Sequence, residues 1–299
     1  MNEAAATSSR ARAGALSQIR DYLSLMKLRV VLLLVLTALG AMLPAAHGVP
    51  RLEAVVAVLL GGTLAAGGAS AINAWFDRDI DAVMARTRRR PVPAGRIPAR
   101  HALVFGILLN VVAFLLLWRA ANLVAACLAL IGTLIYVFVY TIWLKRSTPQ
   151  NIVIGGAAGA MPPLVGWAAV TGGLDWTALS LFAVILFWTP PHFWALAQMI
   201  RRDYKAVEVP MLPVVARAGS VKLQSLAYAV LTMVVSLVPF LTHAESAIYL
   251  AGALALGLGL VTMCVLDLVR RGWTRRLFGY SSIYLAGLFA LLALGSIAG

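Results

Sequence analysis

Residues 54–81 read AVVAVLLGGTLAAGGASAINAWFDRDID. The uncharged, largely apolar run 54–75 is followed at once by Asp77, Arg78, Asp79 and Asp81. A helix needs about 20 such residues to cross roughly 30 Å of hydrocarbon. The stretch therefore reads as a membrane span that surfaces into an acidic loop. Composition extends the same reading to the whole chain of 299 residues, which is 62% hydrophobic and 12% charged, with a mean hydropathy of +0.89. Soluble domains average about 45–50% and about 25%, so an ordinary soluble domain is excluded and lipid must act as part of the solvent.

Hydropathy predicts nine helices, at roughly 28–47, 54–75, 101–118, 121–143, 151–171, 178–200, 225–242, 246–267 and 278–297. The expected fold is all-α: a polytopic membrane protein of nine transmembrane helices around a central cavity that opens to the cytoplasmic side. Placing the N-terminus inside puts 23 of the 25 lysines and arginines at the inner ends of the spans, with Arg51 and Arg119 outside. This is the positive-inside pattern. It accounts for the net charge of +14 through topology and anionic headgroups, so no nucleic-acid partner is expected. An odd number of spans then leaves the C-terminus outside.

Residues 1–27 read as a retained cytoplasmic tail, and 28–299 as a single membrane domain with long cytoplasmic loops at 76–100 and 201–224. The segment from Met1 to Asp21 is Ala/Ser-rich and carries Arg10, Arg12 and Arg20 but no apolar core with a cleavage site. Its Arg-rich, acid-poor composition also suits a short organellar transit peptide. Cys127 and Cys264 fall in spans at different depths, which predicts neither a disulfide nor a metal pair.

Unusual chemistry concentrates in the two long loops. Asn73, Asp77 and Asp81 are spaced i, i+4, i+8, which on a helix stacks their oxygens on one face within about 12 Å. Carboxylates four residues apart repel, and an acidic C-terminal helix end opposes the macrodipole. A cation resolves both conflicts, and three hard oxygen donors suit Mg²⁺ completed by water and substrate phosphate. Asp79 lies off this face and is expected to be solvated. Capping or pairing with arginine is the alternative for the other carboxylates.

Arg86, Arg88, Arg89 and Arg90 follow directly, and Arg86 and Arg90 are candidates to grip a diphosphate through guanidinium forks. Arg88 and Arg89 read as topology signals. Lys145 and Arg146 are the cations between the fourth and fifth spans, near Tyr140 and Asn151; they either set topology or also hold phosphate. Asp203, just past the sixth span, is the natural partner carboxylate, although Val207 stands four residues on. Its loop and the first share an acidic group followed by a proline cluster, which hints at an internal repeat.

In the fifth span Pro162-Pro163 follows a glycine-rich stretch, and Pro190-Pro191 precedes His192 in the sixth. Both pairs predict helix breaks lining a pocket. His192 is an ionisable residue at membrane depth, which could ligate iron or bond a carbonyl freed by the prolines.

Asn73-x-x-x-Asp77-x-x-x-Asp81 resembles the first acidic motif of the intramembrane (UbiA-type) prenyltransferases. Tyr140-Thr141, Leu144 to Asn151, Gly155-Gly156, Pro162 to Trp167, Trp188 to Leu196, Asp203-Tyr204 and Pro210 to Val215 resemble the haem O synthase branch of that superfamily. In place of the second Asp-x-x-x-Asp that is usual there, this chain is similar to that branch in having Asp-Tyr.

The resemblance implies transfer of a farnesyl group from farnesyl diphosphate to a vinyl group of haem B, with addition of water, in the bacterial cytoplasmic (inner) membrane. It implies Mg²⁺ on Asn73, Asp77, Asp81 and Asp203, with Asp77, Asp81, Asp203 and Lys145 catalytic. Arg86, Arg90, Lys145, Arg146, Tyr140 and Asn151 would bind substrate, and His192 would meet the haem. Partners beyond these substrates and the bilayer would be haem A synthase or a terminal oxidase assembly. The rival readings are another prenyl acceptor, such as a quinone precursor, and a secondary transporter; the latter typically places its coupling groups near the midplane, not at one end.

Overall fold

The computed structural model describes residues 16–270 and 272–298. Arg10 and Arg12 lie outside them. Among the described residues there are helices and no strands, and nine helices are long and apolar enough to cross a membrane. They are α1 (Leu28–Ala46), α2 (Leu52–Phe76), α3 (Ala99–Ala120), α4 (Leu123–Ser147), α5 (Asn151–Thr171), α6 (Trp176–Met199), α7 (Ala218–Leu241), α8 (Ala247–Val269) and α9 (Thr274–Ala298). The expected spans are all present. The largest discrepancy is α7, which starts seven residues before the expected 225.

The added turns carry a partly buried ion pair. The Lys222 ammonium donates to the backbone carbonyl of Asp267 and lies 3.5 Å from that residue's carboxylate, which also accepts from Thr274 Oγ1 at 2.7 Å. A lysine read as a loop cation is thus neutralised inside the helix.

Consecutive helices pack side by side, and α9 returns against α1. In addition α5 packs on α1 and α6 on α9, so these four form the middle of the bundle. Small residues allow the approach: a Cβ on Gly166 of α5 would collide with the Ala38 carbonyl of α1, and one on Gly68 of α2 would meet the Gly106 carbonyl of α3 at 2.7 Å. Such stripes are how helices associate where lipid supplies no hydrophobic drive. Trp194, Tyr249 and Tyr284 are the largest fully buried side chains, whereas Leu33, Leu108, Ile131 and Phe138 face outward. Their exposure costs nothing in hydrocarbon.

The expected breaks at the proline pairs do not occur: α5 runs through Pro162 and Pro163, and α6 through Pro190 and Pro191. Each pair removes two N–H donors, but ending the helix would orphan up to four groups at each new terminus, which hydrocarbon cannot satisfy. Continuing costs less. The irregularity sits instead in α4, whose second half, Ile135–Leu144, is a π-helix. Insertions of this kind recur at functional sites.

Two further features shape one face of the bundle, where α2 joins α3, α4 joins α5 and α6 joins α7. Residues 16–25 form a helix that the sequence reading left unassigned; it is tied to the first long loop by a bidentate Asp21–Arg96 pair at 2.9 and 3.1 Å and to α3 by Tyr22 on Phe105. The two long loops meet in a buried apolar cluster of Ile80, Met84, Tyr204, Val209 and Met211. That cluster fixes their polar residues relative to one another.

Candidate functional site

Asn73 closes the last turn of α2, Asp77 follows its end, and Asp81 lies on the short helix Arg78–Val83. The backbone bonds Asp77 N to Asn73 O (2.9 Å) and Asp81 N to Asp77 O (2.8 Å) carry the helical register across the junction. All three residues are buried, at 2–4% exposure. The spacing read from the sequence therefore does produce one face, turned inward.

Cations converge on that face from three other segments. Lys145, at the end of α4, donates to Asp77 Oδ2. Arg90 bonds Asp81 Oδ2 at 2.8 Å, while the Lys27 ammonium, from the start of α1, donates to Asn73 Oδ1 at 2.8 Å. Lys27 reaches it from a left-handed backbone, φ 52°, a conformation that costs a non-glycine residue on the order of 1–2 kcal/mol. Strain of this kind is retained where surrounding structure over-determines it. Burial, reinforced by Arg90 and Lys145, pushes the Lys27 ammonium down to about 8.

The amide of Asn73 is oriented by its neighbours. Its Nδ2 donates to Asp77 Oδ2 at 2.6 Å and to Thr141 Oγ1 at 3.2 Å. Thr141 in turn donates to the Tyr136 carbonyl, five residues back, at 2.8 Å. The π-helical winding places Thr141 there and stacks Tyr136 on Tyr140, with ring centroids 5.7 Å apart. Tyr140 fits because Gly155 faces it: a Cβ on that glycine would run into the ring.

Asp79 is exposed, as the sequence reading has it, but it is also paired. It is held by both Arg146 nitrogens, at 2.6 and 2.7 Å, and that bond lowers its carboxyl to about 2. Arg146 also lies over the Phe76 ring at 4.9 Å and 3.6 Å from Asp77 Oδ1. It clamps the loop as well as facing the site. Asn151 is fully buried; its Nδ2 donates to the Lys145 carbonyl at 3.4 Å and its Oδ1 has no partner. Asp203 stands apart, about a quarter exposed and joined to the first loop by Arg86 at 3.8 Å, while Arg86 packs over the ring of buried Tyr204.

Among the described residues no three His, Cys, Asp or Glu gather into a ready ligand shell. The donor set nevertheless fits a hard divalent cation: Asp77 Oδ1 is buried without a hydrogen-bond partner, Asp81 and the Asn73 carbonyl oxygen lie on the same face, and all are oxygen donors of the type Mg²⁺ takes. A cavity of about 610 Å³ between the N-terminal helix and the first long loop is lined by Arg20, Asp21, Arg86, Arg89, Arg90 and Arg96, and Arg90 joins it to the acidic face through Asp81. Arg89, read as a topology signal, thus faces it together with Arg86 and Arg90.

His192 lies elsewhere, between α6 and α9. Its Nδ1 meets Ser281 Oγ at 2.7 Å, and its ring is stacked between Trp188 and Phe278. The structure thus brings Asn73, Asp77, Asp81, Lys145, Arg90 and Arg146 together, with Tyr140 and Asn151 beside them. Lys27 and Thr141 also belong to this group. Sequence reasoning gave neither a role, because one lysine ahead of a first span looks like any topology signal and a threonine inside a span looks like any helix residue.

A family model described as the UbiA prenyltransferase family matches residues 34–283. The protoheme IX farnesyltransferase of Symbiobacterium thermophilum is 49% identical over 280 residues, covering 92% of this chain and 94% of that protein. The one from Gloeobacter violaceus is 50% identical over 282 residues, covering 93% and 92%. Against a Thermus thermophilus protein of the same name identity reaches 54%, but this chain spans only 45% of that longer relative. Among solved structures, a digeranylgeranylglyceryl phosphate synthase superposes with a TM-score of 0.80 at 18% identity, over 95% of this chain and all of the other. A UbiA homolog from Archaeoglobus fulgidus, bound to DMAPP and Mg²⁺, gives 0.66 at 17%, over 92% and 99%. These two likenesses speak for the fold.

Proposed function

This chain belongs to the UbiA prenyltransferase family, and from that premise we propose that it transfers the farnesyl group of farnesyl diphosphate to a vinyl group of haem B, forming haem O. The acceptor rests on the relatives that match nearly end to end. The observation that carries the donor is the buried face of Asn73, Asp77 and Asp81, ringed by Lys27, Arg90 and Lys145. Ionisation of an allylic diphosphate needs fixed positive charge at the leaving group and dry surroundings at the cation.

Asn73, Asp77 and Asp81 would hold Mg²⁺, with Asp203 supplying the opposite carboxylate. A metal ion held by these residues would neutralise charge that develops on the departing diphosphate. Lys145, Arg90 and Lys27 exchange their carboxylate and amide partners for phosphate oxygens, and Arg86 and Arg146 approach from the loop. Tyr136 and Tyr140, half-buried and stacked on each other beside this face, wall the first isoprene unit away from water. The haem vinyl carbon attacks the allylic carbon, water adds to the resulting cation beside the porphyrin, and a proton is released. His192 is the contact to haem. Charge asymmetry among the loops supports a cytoplasmic location for this face and for the N-terminus, with the C-terminus outside.

Purified protein supplied with Mg²⁺, farnesyl diphosphate and haem B should release diphosphate and yield a porphyrin heavier by a farnesyl and a hydroxyl group. Mass spectrometry reads the product. Turnover of another prenyl acceptor with haem left unmodified would reject the assignment.

A further inference from the structure

The surroundings of His192 contain more order than a buried histidine needs. Ser281 Oγ has one hydrogen, and it is directed to the Phe278 carbonyl at 2.8 Å. With that hydrogen on the carbonyl, the hydroxyl offers a lone pair to the imidazole 2.7 Å away, and the tautomer that matches it carries its proton on Nδ1. A neutral imidazole protonated on Nδ1 has its free lone pair on Nε2. Ser281 is itself pinned, because its carbonyl accepts from Trp188 Nε1 at 2.7 Å.

Ring packing completes the arrangement. Trp188 covers one face of the imidazole at 4.2 Å and 21°, and Phe278 covers the other at 4.6 Å and 27°. With both faces and the Nδ1 edge occupied, the accessible direction is the edge bearing Nε2. No group among the described residues bonds that nitrogen, and the residue is partly exposed. A ligating histidine has this form: one nitrogen donates to a fixed acceptor that sets tautomer and ring orientation, and the other presents a lone pair in the ring plane.

We propose that His192 Nε2 is an axial ligand to the iron of the porphyrin acceptor and that Ser281 is the positioning residue that sets its tautomer. This rests on haem B being the acceptor. The iron–nitrogen bond forms without electron or group transfer; it anchors the macrocycle against α6 and α9 while the vinyl group reacts.

The test is titration of the full-length protein in detergent with ferric haem B, without farnesyl diphosphate, followed by Soret absorption and electron paramagnetic resonance. Wild type should show a nitrogen-ligated spectrum. His192→Ala should lose it, bind haem at least about tenfold more weakly, and regain the spectrum with added imidazole. Ser281→Ala should weaken haem binding about tenfold, the scale on which lost outer hydrogen bonds act on metal affinity, and Ser281→Thr should restore it. An unchanged His192→Ala spectrum overturns the ligation. If His192→Ala fails to fold, unaltered affinity and spectrum in Ser281→Ala overturn the positioning role and the ligation it serves. Wild-type protein that binds haem without nitrogen ligation overturns this inference alone, and wild-type protein that binds no haem overturns the acceptor assignment with it.

Discussion

The two ends of the bundle treat buried acids in opposite ways. On the site face the two buried carboxylates each have a cation in reach, Asp77 with Lys145 and Asp81 with Arg90, while the more exposed Asp79 and Asp203 pair with Arg146 and Arg86. At the other face Glu245, between α7 and α8, is 8% exposed with no ion pair among the described residues. Its Oε2 has no partner, and Oε1 lies 3.4 Å from Ser296 Oγ. The first end holds its carboxylates against cations that can be traded for a metal ion. The second favours a neutral acid, since an unpaired buried charge is expensive.

The largest expected effect breaks the first half of this contrast. Asp77→Asn keeps shape and removes charge, so diphosphate release with haem and farnesyl diphosphate should fall by about 10²–10³-fold or more, as when a preorganised electrostatic group is lost. Size-exclusion profile and helical content in detergent should stay as in wild type. Retained turnover would mean that the acidic face only pairs with Lys145.

Smaller changes sharpen the picture of which cations grip substrate and which hold the loops. Lys27→Met should raise KM for farnesyl diphosphate about tenfold, the worth of one charge-assisted hydrogen bond near 1.4 kcal/mol, and Lys27→Arg should recover part of it. Asp203→Asn should cost less, about threefold to tenfold, because this residue is partly exposed and bridged at 3.8 Å, where screening reduces electrostatic interactions. Steady-state kinetics with varied diphosphate separates the two. An Asp203→Asn loss as large as that of Asp77→Asn would place both loops on equal terms.

How much of this could be read from residues alone differs between fold and site. The apolar runs located the spans because hydrocarbon thickness imposes a length that irregular sequence rarely matches by chance. The Asn73–Asp77–Asp81 face was legible for a related reason: the helical period carries on past the membrane edge. What the spacing could not convey was partner choice across the bundle. Lys27 lies 46 residues from the amide it bonds, and Asp79 meets Arg146 from 67 residues away, so neither pair leaves a local signature. The π-helical turn at Ile135–Leu144 was hidden because its residues fit an ordinary helix equally well by hydropathy. The proline pairs misled in the other direction, since a rule drawn from water overstates how readily a helix ends where no solvent can receive its broken bonds.

Glu245 gives the smallest expected effect. Burial raises its carboxyl from 4.5 to about 7, so between those values the folded chain binds more protons than the unfolded one, and stability from this group is present at low pH and lost as pH rises through about 7. Glu245→Gln holds the neutral form at every pH. At pH 8 the variant should therefore unfold at a higher temperature than wild type, by about 2–4 °C, equivalent to roughly 1 kcal/mol in a chain of this size, while near pH 5 the two should coincide. Thermal unfolding in one detergent at both values reads the difference. A gap of the same size at both pH values would trace the gain to the added amide hydrogens instead of to charge, and the opposite end of the bundle would then lose its claim to be a place where an acid is kept neutral.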